Sequence, residues 1–288
     1  MKIGISSYSF SKHLTTAKCG YIEICDLAKK MGYDGIEFID LINEDWGITG
    51  DPIEIAKEIN AHCKKIGLDI IAYTVGANFL HPNPEEQVEK LKKCIDICEA
   101  LGAPIMRHDA ASNPEKFRKE PLYNYRTAIK EIAPYIRKVT EYAAKKGIKT
   151  CVENHGFFFQ DPKRVEELIL AVNHENYGWL CDIGNFLCAD SEPSHATSIA
   201  APYAFHIHVK DFIFKPGTEQ KPSGEWITTN CGNYIRGTII GHGAVPVQAC
   251  INALKKAGYD GYISVEFEGI EENLPSLKMN IEFLHSII

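Results

Sequence analysis

Four apolar runs in the second half of the chain each carry, at or near their end, a side chain able to bind a metal. Glu153 ends Thr150-Cys151-Val152-Glu153, Asp182 ends Trp179-Leu180-Cys181-Asp182, His208 lies in Phe205-His206-Ile207-His208-Val209, and Glu266 follows Ile263-Ser264-Val265. A charge at the end of a buried strand is costly unless something compensates it. Three carboxylates and one imidazole match the oxygen-plus-nitrogen surroundings of a divalent cation such as Mn²⁺, Mg²⁺, Co²⁺ or Zn²⁺. A separate structural role would explain any one of these residues. Four of them, in order on successive strands, argue for a shared one.

Strand alternation places Cys151 and Glu153 on one face, and His206 with His208 on another. His208 is the expected ligand because it lies closer to its strand's end. His206 then either supports the site or belongs to the core. Past the strand ends, His155 returns to the Glu153 side, as a substrate or proton-transfer group or as a solvated loop residue. Asn185, three residues after Asp182, is placed to hydrogen-bond a substrate hydroxyl. Lys210 shares the inward parity of His208. It either holds a substrate oxyanion or carboxylate, neutralises the carboxylates, or pairs with Asp211 at the surface. Arg236 is either a solvated loop arginine or a bidentate partner for an anionic substrate group. Glu37 and His108 end earlier strands and are expected to line the pocket. Gly241-His242-Gly243 reads as a tight turn.

The elements that must position these groups alternate along the chain. Short β-branched runs cover Ile3–Tyr8, Gly35–Ile39, Asp69–Tyr73, Pro104–Arg107, Lys149–Glu153, Gly178–Asp182, Ala204–Lys210 and Tyr262–Phe267. Helical patterns follow each: Ile22–Met31, Pro52–Ile66, Pro84–Leu101, Tyr123–Lys146, Pro162–Val172, Ser194–Ala200, Val247–Ala257 and Leu274–Ile287. Helix ends are marked by Gly32, Gly67, Gly147 and Gly258, and helix starts by Pro52, Pro84 and Pro162 after Asp or Asn. Eight strand–helix units predict an α/β fold with parallel pairing, a (β/α)₈ TIM barrel, whose active site lies at the C-terminal strand ends. The expected organisation is a single domain over 1–288, with a long irregular loop at 212–246 after the seventh strand, overhanging the mouth.

The bulk numbers narrow the function. The 288 residues are 45% hydrophobic and 24% charged, enough for one full core. A net charge of −7 argues against nucleic acid as a partner. The ten cysteines lie mostly in apolar or helical surroundings without a CxxC, which predicts reduced thiols in a cytoplasmic protein. The N-terminus lacks a signal-peptide core, and no run is long enough to span a bilayer, so no membrane association is expected.

Val152-Glu153-Asn154-His155, Cys181-Asp182-Ile183-Gly184-Asn185, His206-Ile207-His208-Val209-Lys210-Asp211, and the run from Gly241-His242-Gly243 through Gly258-Tyr259-Asp260-Gly261 to Val265-Glu266 together carry a resemblance. Over essentially its whole length the chain resembles the xylose isomerase-like TIM barrels of the sugar phosphate isomerase/epimerase group. That group includes ketose 3-epimerases, hydroxypyruvate isomerase, inosose dehydratase and, more distantly, type IV AP endonucleases. The resemblance implies one divalent metal, Mn²⁺ foremost, held by Glu153, Asp182, His208 and Glu266, with the two glutamates also moving the substrate proton. It implies a metal-dependent isomerase or epimerase acting on a small carbohydrate or polyol through an enediolate, or alternatively a lyase on the same site, inosose dehydratase-like or C-glycoside-cleaving. A homo-oligomer is compatible with it. Two departures stand out. Asn185 replaces the histidine that many epimerases carry three residues after the metal aspartate. The Asp and His of the nuclease pattern are missing around Ile235-Arg236-Gly237, which disfavours a trinuclear phosphodiesterase.

Overall fold

The computed structural model describes residues 1–112, 119–120 and 122–288. Strands β1 (Lys2–Ser6), β2 (Gly35–Ile39), β3 (Asp69–Val75), β4 (Ile105–His108), β5 (Lys149–Glu153), β6 (Tyr177–Asp182) and β7 (Ala204–Val209) are β-branched or aromatic-rich and almost entirely buried. Chain order then adds β8 (Asp211–Lys215), β9 (Ile227–Thr228), β10 (Tyr234–Thr238) and β11 (Tyr262–Val265). The first seven and β11 close a barrel in the order β1-β11-β7-β6-β5-β4-β3-β2, every pair parallel. This is the (β/α)₈ TIM barrel the alternation predicts.

The crossover helices are those expected, to within two residues at each end. Asp51 and Asp161 cap helices Pro52–Ile66 and Pro162–Val172, accepting from the backbone N–H groups of Ile53 and of Lys163 and Arg164. Asn83 departs from that pattern: it makes no cap bond to helix Pro84–Leu101 and donates instead to Glu86 at 2.7 Å. The first strand is shorter than the run Ile3–Tyr8 suggested. The Ser6 hydroxyl accepts from the Tyr8 N–H and turns the chain into a 3₁₀ turn (Ser7–Phe10) and a further short helix (Ser11–Ala17), which the sequence pattern did not reveal.

The segment expected as an irregular loop over 212–246 contains most of a second sheet. β8, β10 and β9 pair antiparallel in that order, with Asp211 opposite Thr238 and Ile213 opposite Arg236. Its strands alternate weakly, and the Lys215-Pro216-Gly217 turn interrupts them, so the two-residue period was hidden. One side chain latches it. Asp211 accepts from the N–H groups of Phe212 and Val245 on one oxygen and of Gly241 and Gly243 on the other, all at 2.8–3.0 Å. A Cβ at Gly243 would lie 2.2 Å from that carboxylate, which is why Gly241-His242-Gly243 carries glycine there.

Register carries the fold to the site. Paired residues in parallel strands share a face. Asp182 is level with His208, His208 with Ser264, and Glu153 with Leu180, so Glu153, Asp182, His208 and Glu266 all fall on the inner face at the strands' C-terminal ends.

Candidate metal centre

Ligand-capable atoms of Glu153, Asp182, His208 and Glu266 all lie within 4.8 Å of one another. Among the described residues they surround His208 Nδ1, which sits 3.5 Å from a Glu266 oxygen and 3.9 Å from oxygens of Glu153 and Asp182. That nitrogen is buried and has no hydrogen-bond partner. An unpartnered imidazole nitrogen facing three carboxylates is the chemistry of a cation site. The donor set and its burial fit a divalent metal.

Each candidate ligand is oriented by its neighbours. Asp182 spends one oxygen on the N–H groups of Gly184 and Asn185, both at 2.9 Å, and presents the other to the cluster. Asn154 ties β5 to β6, donating to the Asp182 carbonyl and accepting from the Asp182 N–H and the Trp179 indole. Glu153 is held by Asn185, which donates to one oxygen at 2.9 Å, and by Arg107, 2.7 Å from the other. On the far side of the His208 ring, Nε2 lies 2.5 Å from Glu37, whose second oxygen bonds His206 Nε2 at 2.5 Å. A carboxylate behind a metal histidine fixes its ring orientation and raises its basicity.

The charges are balanced in detail. Burial pushes the Asp182 carboxyl above its ordinary range, against the pull of Lys210. Burial also opposes ionisation of Glu266, but Lys210 and His208 outweigh it and hold that carboxyl well below the usual range. For Glu37, the two histidines overcome burial and bring its carboxyl down to about 2. Lys210 is 5% exposed, 3.0 Å from Asp182 and 3.3 Å from Glu268, and touches Glu266 as well. The surface pairing of Lys210 with Asp211 does not form, because Asp211 is occupied by four backbone amides.

Above the cluster, His155 is half exposed, with Nδ1 3.1 Å from Asp109, and Asp109 is also bound by Arg107 at 2.7 Å. The bond to Asp109 raises the His155 pKa above its ordinary value. Arg236 does not reach the cluster. It stands on β10 with its guanidinium carbon 4.8 Å from the Trp226 ring centroid, beside a cavity of about 510 Å³ that Tyr8 and Glu268 also line.

Two expected substrate contacts lie elsewhere. Glu37 is 0% exposed and engaged by both histidines. His108 is also 0% exposed: it pairs with Val152 on the barrel's outer face, between the rings of Phe79 and Tyr177. Strand parity explains the exchange. Arg107, level with Cys151, takes the inward position beside Glu153, and the register that reveals this is invisible in one strand alone. Arg107, Asp109, Tyr8 and Glu268 also stand beside the cluster or the adjoining cavity; the first three end their strands in the sequence, but none is among the expected site residues. Glu268 had a signal, two residues beyond Glu266 on the same parity.

The chain matches the xylose isomerase-like TIM barrels over residues 25–287 and belongs to that family. Inosose dehydratase of Geobacillus thermodenitrificans is 23% identical over 212 residues, 70% of each chain. Two solved structures share the fold. The IOLI protein with a bound zinc atom has a TM-score of 0.74 at 18% identity, covering 100% of this chain and 98% of its own. The 3-keto-D-glucoside 4-epimerase YcjR of E. coli has a TM-score of 0.72 at 16% identity, covering 99% of both.

Proposed function

We propose that this protein is a divalent-metal-dependent isomerase or epimerase of a small carbohydrate, free or phosphorylated, with Glu153, Asp182, His208 and Glu266 as ligands. The reading rests on one observation, the unpartnered His208 Nδ1 facing three carboxylates. Mn²⁺ is the ion of choice for such an oxygen-rich set with one nitrogen. When bound, the cation supplies Lewis-acid polarisation of a substrate carbonyl and its neighbouring hydroxyl. Glu153 removes the proton beside that carbonyl, leaving the substrate as an enediolate, with Arg107 and Asn185 fixing the carboxylate's position. Glu266 returns a proton from across the site, taking it from the Lys210 ammonium that touches it, while Glu153 keeps the abstracted proton until solvent removes it. Return to the same carbon from the opposite face epimerises, and return to the adjacent carbon isomerises. Lys210 neutralises Asp182 and Glu266 and can hold a developing oxyanion. Asn185 and Arg236 are the candidate substrate contacts.

The test has two parts. Chelated protein titrated with Mn²⁺ binds one equivalent, and Glu153→Gln lowers turnover at least about a hundredfold, the scale of losing a positioned base. A protein that takes up no divalent ion, or a Glu153→Gln variant with full turnover on an identified sugar, refutes the proposal.

His155 favours a second reading, a lyase on the same centre. Half exposed above the cluster, with Asp109 raising its pKa, it could donate a proton to a leaving hydroxyl once Glu153 has abstracted the first. The similarity to inosose dehydratase is consistent with it. Mass spectrometry of keto sugars and inososes after incubation decides: loss of water marks the lyase, conversion at constant mass the isomerase.

A further inference from the structure

Beside the metal centre opens the cavity of about 510 Å³, a size that suits drug-sized ligands and exceeds what a lone six-carbon sugar fills. It adjoins the cluster: Glu268 lines it and also contacts Lys210, which touches Asp182 and Glu266. Its walls are unusual for this surface. Among the described residues eight large apolar side chains are exposed, and three of them, Tyr8 at 37%, Ile227 at 37% and Ile270 at 58%, line this one cavity. Single exposed apolar residues are ordinary, whereas several converging on one concave site mark a binding surface. Trp226 adds a ring whose N–H is already spent on the Ser223 carbonyl. Arg236 lies over that ring with Nε buried and unbonded, a planar donor with no ion pair among the described residues. Lys221 and Glu225 close the exposed rim.

A hydroxyl-rich sugar gains little from such walls. A flat aromatic group gains apolar contact from Ile227 and Ile270, stacking from Tyr8 or Trp226, and a hydrogen bond to an acceptor oxygen from Arg236. We infer that the natural substrate is a glycoside whose sugar ring carries a keto group, so that the ring presents at the metal centre the carbonyl the proton abstraction needs, while an aromatic aglycone bearing an acceptor oxygen lies in this cavity. The inference rests on the proposed sugar chemistry and adds the substrate class to it.

Isothermal titration of the Mn²⁺-loaded protein with phenyl and methyl glucopyranosides, both anomers of each, tests it. The phenyl glucoside of the accepted anomer is expected to bind about tenfold more tightly than its methyl counterpart. Trp226→Ala should shrink that ratio to about twofold or less, Trp226→Phe should keep most of it, and neither should change the bound manganese. Equal affinities for the two glycosides, or a preference that survives both Trp226→Ala and Arg236→Ala, overturn the inference. So does displacement of phenyl glucoside by glucuronate or glucose 6-phosphate with higher affinity, which would assign the cavity to an anionic group. Absence of bound manganese would instead strike the metal reading, because the phenyl-to-methyl ratio is measured separately from metal uptake.

Discussion

At the residue scale, each candidate ligand is held by its neighbours, and one of those neighbours has no access to substrate at all. That neighbour is Glu37. It sits behind His208, bonded to His206, and is sealed from the cavity. Glu37→Gln keeps the shape and removes the charge, so Mn²⁺ affinity should fall about 10- to 100-fold, the usual cost of losing such a partner. With metal at saturation, KM should stay near the wild-type value, and a metal titration followed by steady-state kinetics checks both. A change confined to KM would return Glu37 to the substrate pocket. Glycine at 184 has a comparable reason. A Cβ there would lie 2.5 Å from Lys210 Cγ and 2.9 Å from the Lys210 carbonyl, so the Asp182-Ile183-Gly184-Asn185 turn cannot accept a larger residue without displacing Lys210. The clustering of the four candidate ligands was legible because residue type and strand-end position are written in the sequence. Arg107 and His108 were not, because the choice between adjacent residues depends on the register against β5.

At the scale of elements, the sheet built from β8, β9 and β10 forms one wall of the cavity beside the cluster, through Ile227, Ile235, Arg236 and Gly237. Its inner end is clasped by Asp211, and its outer turn by Asp190, which accepts from the Thr229 hydroxyl and the Asn233 amide at 2.7 Å and from the Cys231 N–H at 2.6 Å. Burial opposes ionisation of Asp190, but these donors prevail and its carboxyl is held below the ordinary range. A depressed carboxyl contributes stability above the unfolded-state pKa of about 3.9 and loses it as pH falls through the lower folded-state value. Asp190→Asn should therefore lower Tm at neutral pH, and the gap to wild type should narrow below about pH 4. Thermal melts across that range measure it, and a gap that stays constant or widens in acid contradicts the assignment. The barrel strands and helices were readable from hydrophobic period and Gly and Pro punctuation. This sheet was not, because its pairing joins residues far apart in sequence, such as Lys215 and Tyr234, across a polar turn.

For the whole molecule, the four candidate ligands come from β5, β6, β7 and the end of β11, so a cation bound there would tie half the barrel together. Metal that binds the folded state alone stabilises it, by about 2.7 kcal/mol at a hundredfold excess over Kd. In a chain of this size that raises Tm by roughly 5 °C or more. Scanning calorimetry of chelated protein with and without Mn²⁺ should show the rise, and His208→Ala should abolish it. An identical Tm in both samples would mean that the cluster holds no ion. Among the described residues no helix is long and apolar enough to cross a membrane, and all ten cysteines are free thiols, most of them buried.

The Asp211 clasp has a consequence for how such proteins diversify. Because one carboxylate grips backbone amides alone, its demand on side chains falls on the glycine at 243 and not on the stretch from 213 to 240. That stretch can be exchanged like a cassette while the chelating strands beneath keep their spacing, so new selectivity can arise without rebuilding the chemistry.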